Sequence, residues 1–302
     1  MALKILKESD PVEVKQLTFA VYAPPGVGKT SLAFTASKPL LFDFDHGAYR
    51  SAFRKDSVPV DAWGDVANVS AEDVADYDTI IVDTAGRALD ALTTHLIASN
   101  PKAGNRDGGL TLQGYGSLKS QFTGWLKRLH TFGKDVILLA HSDEQRDGDN
   151  VIQRLDVQGG SKNEIYKAAD AMGHLATQQK KRMLIFDPTE AAFGKNPAQV
   201  DPLEVPHFGE QPDFMAQVIS DTKAALNKQT EAQKAVVAEM EDWASKCDKA
   251  ESPEDFTKLA EESTQASEAA MANVKRLVAK RAKSAGYAYD EKAKAFKEVE
   301  PA

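Results

Sequence analysis

The stretch YAPPGVGKTSLAF, residues 22–34, decides the fold. A β-rich run, LTFAVYA at 17–23, leads into two prolines and two glycines. Lys29, Thr30 and Ser31 then open an apolar, helix-forming segment. Backbone N–H groups at the mouth of a helix bind phosphate, and side chains in the loop before it would block that approach. Gly26 and Gly28 let the backbone curl. Lys29, which reads as a solvent-facing charge, would neutralise the β- and γ-oxygens, and the Thr30 hydroxyl would ligate Mg²⁺. Pro25, Gly26, Val27, Gly28, Lys29, Thr30 and Ser31 are therefore the expected cradle for ATP. Ala23 stands where such loops usually open with glycine.

Outward from this loop, LLFDF (40–44), TIIVD (79–83) and VILLAH (136–141) are short apolar runs of the kind buried on both faces of a sheet. Helical stretches at 31–37, 87–98 and 118–132 lie between them, and strand–helix alternation predicts an α/β fold with a mostly parallel sheet. A final antiparallel hairpin is expected within 180–197. After 206–213 Ala, Glu and Lys dominate. Ser252-Pro-Glu-Asp255 reads as a helix start and Gly286 as a helix stop. The expected division is a P-loop core over 1–210 and a mostly helical extension over 211–302, without heptads or repeats.

Asp83 ends an apolar strand, where a P-loop needs an acid to hold Mg²⁺. Hydrolysis also needs a base to deprotonate water. The residue after Asp83 is Thr84, not Glu, so the base must come from elsewhere, and LLFDFDHGAYR (40–50) offers Asp43 and Asp45. They alternate on one face at the strand end where α/β sheets bind ligands. Asp45 is the expected base and Asp43 the second choice.

Bulk composition narrows the classes. The hydrophobic fraction of 42% and charged fraction of 27% are those of a soluble globular protein. No run approaches a membrane span, the first residues carry no secretory signal, and the single cysteine fits a reducing cytoplasm. Six histidines form no metal-ligand spacing. A net charge of −8 confines any nucleic-acid grip to a local patch.

Over about residues 17–200 the order of P-loop, acid strand, Asp83 and VILLAH resembles RecA-type recombinases. In these a strand ends Phe-Ile-Asp-Ala-Glu-His, and its Glu activates water. FDFDH aligns Asp45 with that Glu and His46 with the following His. His141 falls where the family has a Gln that senses the γ-phosphate. The segment after it, including Gly159-Gly160, is similar to the DNA-binding loop. The nearest resemblance is to short RecA-like ATPases of bacteriophages, the phage nucleotide-binding family that includes single-strand annealing proteins. It implies a RecA-like core, Mg–ATP binding, and single-stranded DNA binding in recombination or annealing. It also implies a ring or filament of identical subunits, a single-strand-binding protein as partner, and a bacterial host cytoplasm. Lys29, Asp45 and His141 would be catalytic, and Thr30 and Asp83 the metal ligands. Arg146, Arg154 and Lys162 in the 142–163 loop would contact DNA, and Lys195 would reach a neighbour's γ-phosphate. Asp for Glu and His for Gln predict slow hydrolysis, and the resemblance implies that DNA stimulates it.

A second basic region, 275–297, holds eight Lys/Arg against two acids, with Tyr287, Tyr289 and Phe296 among them. It reads either as a single-strand-binding tail or as a helix whose aromatics pack. Two other functions stay open on the residues alone. One is a nucleotide or small-molecule kinase, though no compact Arg cluster appears for a lid. The other is an ATP-switched protein that assembles on DNA with little hydrolysis.

Overall fold

The computed structural model describes residues 13–51, 53–147, 150–156, 162–189, 192–291 and 293–298. Strand β1 (Thr18–Ala23) runs into the P-loop and α1 (Lys29–Ala33), followed by β2 (Pro39–Asp43), β3 (Ser57–Pro59) and α2 (Gly64–Ala67). Next come β4 (Thr79–Asp83), α3 (Ala85–Ser99), α4 (Leu112–Thr131), β5 (Asp135–Asp147) and β6 (Asn150–Leu155). Then α5 (Lys162–Ala168), β7 (Ala171–Gln178), β8 (Lys181–Ile185) and β9 (Leu203–Glu204) complete the sheet. Strands β3-β2-β4-β5-β1-β7 are parallel, and β8 and β9 add antiparallel at one edge.

The buried strands sort their side chains by simple alternation. In β1, Ala20 and Tyr22 join the core under α3 and α4, with Leu89, Leu92, Phe122 and Trp125. Phe19, Val21 and Ala23 point the other way, to Leu32 of α1. Burying one such large apolar side chain contributes roughly 1.5–3 kcal/mol, so a one-residue slip of β1 would exchange two fitted faces at once. Parallel register aligns Ala23 with His141 and Asp43 with Asp83. All four strand ends therefore open on the same edge of the sheet.

Three expectations change. The 142–163 segment is not a loop throughout. Strand β5 continues to Asp147, and β6 returns antiparallel from Asn150 to Leu155. Asp147-Gly148 in the sequence is a hairpin-turn signal masked by surrounding charge, and Leu155 is drawn into the core. The antiparallel hairpin begins upstream of 180–197: its first strand is β7, and only its second, β8, falls in that range. Its strand AMGHLATQ carries Gly173 because a Cβ there would stand 2.7 Å from Leu184.

The third change concerns the extension. Helix α6 (Phe214–Asp248) begins with Phe214, Met215, Val218 and Ile219 buried beside α1 and β1. One compact unit is Val14–Leu226, and the described residues from Asn227 onward form most of the other. The division thus falls inside α6 rather than at 210, because its first turns belong to the core. The second unit contains the rest of α6, α7 (Pro253–Glu262), α8 (Glu268–Ser284) and an unexpected hairpin, β10 (Tyr287–Asp290) with β11 (Ala295–Glu298). Ser252 and Asp255 form the capping box expected at the start of α7, and Gly286 takes φ +86° just after α8. Phe296 is buried and Tyr287 lies 5.7 Å from Phe256, so these aromatics of the basic region pack rather than project. No helix of the described residues is long and apolar enough to cross a membrane.

Candidate active site

The P-loop bends through Gly26 at φ +81° and Gly28 at φ +97°, conformations that residues with a Cβ rarely adopt. Pro25 through Ser31, with Asp45, Asp83 and His141, line a cleft of about 430 Å³. Ser31 meets Ser51 through their hydroxyls at 2.9 Å.

Lys29 is not the solvent-facing charge that its position in the sequence suggests. Its side chain is buried, with Nζ donating to the carbonyls of Ala23 at 2.9 Å and Pro24 at 3.1 Å. The ammonium also lies 3.2 Å from His141 Nδ1. An ammonium has only protons to offer, so Nδ1 accepts, which places the ring proton of His141 on Nε2. Burial lowers the Lys29 pKa, while Asp83 and Asp45 raise it again. Two carbonyl acceptors and two acids hold the charge over the loop.

Asp83 is buried at the end of β4 and accepts a 2.6 Å hydrogen bond from the Thr30 hydroxyl. Burial raises its pKa, and the Thr30 bond opposes that shift. The Asp83–Thr84 peptide is cis. For Mg²⁺ this pair fits: a hydroxyl and a carboxylate are hard oxygen donors already side by side.

The two acids of FDFDH separate. Strand β2 ends at Asp43, and the chain then turns, with the N–H groups of Phe44 and Asp45 both bonded to the Asp83 carbonyl. Asp43 is buried and accepts from the N–H groups of Gly47 and Ala48. It caps the turn. Asp45 faces the cleft, with Oδ2 at 3.8 Å from His141 Nε2 and Oδ1 at 3.8 Å from Arg87 Nε. His46 turns outward to Asp61 at 3.4 Å.

The structure thus gathers the P-loop residues, Asp45, Asp83 and His141 at one sheet edge, and leaves Lys195 elsewhere. Lys195 Nζ donates to the Ala169 carbonyl at 2.8 Å and sits 4.6 Å from the Tyr166 ring centre. Arg154 lies near it, 5.9 Å from the Phe193 ring centre. The side chains of Arg146 and Lys162 lie outside the described residues. Seven residues that the sequence reading did not place here also line the cleft, Gly47, Arg50 and Ser51 close after Asp45, and Phe53, Arg182, His207 and Phe208 from farther along the chain. The only hints to the distant ones were the KKR run at 180–182 and the PHFGEQPD segment, which reads as a mere change of composition.

Burial lowers the pKa of three histidines, His130, His141 and His174. Below their ordinary 6.5 the unfolded chain takes up protons that the folded state refuses, so stability falls as pH falls. Asp83 and Asp90, with raised pKa values, act with the opposite sign just above 3.8. They are two groups against three, and they start from a lower pH. Thermal unfolding from about pH 8 to about pH 5 should show a midpoint that declines below about pH 6.5. A midpoint that is flat or rises over that range would contradict the burial of these rings.

A family model described as an AAA domain matches residues 15–198. A search of curated proteins finds no match. Among solved structures, the chain aligns with a prototypical ATPase from the type III secretion system of pathogenic bacteria at 16% identity. The alignment covers 53% of this chain and about half (52%) of that one, with a TM-score of 0.37, too low to carry an argument.

Proposed function

The chain belongs to the AAA domain family, and on that footing we propose that it binds Mg–ATP in the cleft over the P-loop and hydrolyses it. The observation that carries this reading is the gathering of Asp45, His141 and Lys29 at the loop, with His141 3.8 Å from Asp45 and 3.2 Å from the Lys29 ammonium. Loop N–H groups and Lys29 hold the phosphates. Thr30 and Asp83 would hold Mg²⁺, which when bound would supply charge neutralisation at the phosphates. Asp45 accepts the proton of the attacking water, with His141 Nε2–H facing its carboxylate at 3.8 Å. Asp43, with its oxygens occupied by the turn, is left out.

We further propose that the protein works on single-stranded DNA, in recombination or annealing, as an assembly of identical subunits. Support comes from a patch on the same unit. Tyr166 and Phe193 are 37% and 41% exposed with ring centres 6.0 Å apart, flanked by Arg154 and Lys195. Exposed aromatics set between cations are the composition that stacks bases and neutralises phosphates. Fluorescence anisotropy with an oligothymidine over a salt series tests this directly. Each neutralised phosphate contributes about −0.7 to the slope of log affinity against log salt, so Arg154→Gln with Lys195→Gln should flatten it by about 1.4. Wild-type protein that ignores the oligonucleotide at low salt, or a double variant with an unchanged slope, would count against the DNA reading.

A further inference from the structure

Arg182 has no role in the site as built above, yet it stands at the mouth of the P-loop. It belongs to β8, where its backbone carbonyl accepts from Val205 N–H at 2.7 Å. One arm of its fork, Nη2, donates to the Pro206 carbonyl at 2.7 Å, and the guanidinium lies 4.4 Å from the Phe208 ring centre. The other arm is aimed at the loop: a Cβ on Gly28 would stand 3.0 Å from Nη1. Burial lowers its pKa. The result is a partly buried cation, oriented by one carbonyl and one ring, facing a loop shaped for anions.

We propose that Arg182 grips the outer phosphates of the bound nucleotide from the same subunit that supplies the P-loop. A guanidinium fork matches phosphate geometry and holds its charge at any working pH. Two donors on opposite sides, Lys29 from below and Arg182 from above, would then clamp the phosphates within a single chain. This rests on the ATP reading of the cleft, and it replaces the cation that a neighbouring subunit would otherwise contribute through Lys195.

The test uses the full-length protein and Mg–ATP. Arg182→Gln removes the charge and keeps a shorter polar side chain. It should lower ATP turnover, ATP affinity or both by about tenfold, the value of one charge-assisted contact, with Arg182→Lys intermediate and thermal midpoints close to wild type. Mixing Arg182→Gln with Lys29→Ala subunits then asks where the arginine acts. Action within one chain predicts no recovery, because no site in the mixture holds both cations. Recovery of activity on mixing, or an Arg182→Gln variant that binds and turns over ATP as wild type does, would overturn the proposal. Wild-type protein that fails to bind ATP at all would bring down the underlying reading with it.

Discussion

Lys29→Ala is expected to weaken Mg–ATP binding by about 10³-fold, the loss of two charge-assisted contacts to phosphate at about 1.5–3 kcal/mol each. The fold should survive nearly unchanged. Truncation strips the Ala23 and Pro24 carbonyls of a donor, but it also removes a cation whose burial is costly enough to lower its pKa. These effects oppose each other. Calorimetric titration of the variant, with its thermal midpoint measured alongside, decides the matter. An affinity within a few-fold of wild type would mean that phosphate lies elsewhere. Binding lost together with the fold would mean that the lysine is chiefly a structural plug between β1 and β5.

The second large effect separates two acids that lie two residues apart. Asp45→Asn should leave ATP bound and lower turnover by ~10²-fold or more, the scale of a general base. The amide keeps the shape and can still face His141, but it cannot accept the water's proton. Asp43→Asn should leave more turnover and instead loosen the turn, since its single remaining oxygen must serve the N–H groups of both Gly47 and Ala48. Single-turnover hydrolysis at saturating ATP, compared with thermal unfolding, ranks the pair. If Asp43→Asn proves the more damaging to chemistry, the catalytic role moves to Asp43.

What could be read in advance was local. TIIVD is a strand in both readings because its composition leaves no alternative to burial, and β4 spans the same residues. The P-loop was legible because a strand, a glycine-rich loop and a helix must be contiguous in the chain. Choosing between Asp43 and Asp45 needed more than alternation, since β2 stops at Asp43 and a turn consumes that side chain. Arg182 could be seen only as one cation of a run beside the hairpin, with Lys195 preferred to it, because its meaning depends on an antiparallel strand folding back over a loop far away in sequence. Among the other charges of KKR it looks like solvated surface. Lys195 is the converse case: a family pattern points it at a neighbour's active site, and within its own chain its ammonium rests on the Ala169 carbonyl and the Tyr166 ring.

Strand β5 passes His141 without a break and returns as β6, where Asp156 N–H closes onto the His141 carbonyl at 2.9 Å. The residue that lines the phosphate cleft and the hairpin that carries Arg154 therefore share one unbroken strand. Thermodynamic linkage makes any coupling along it two-way: whatever factor a polymer held at Arg154 applies to nucleotide affinity, the nucleotide returns in full to the polymer.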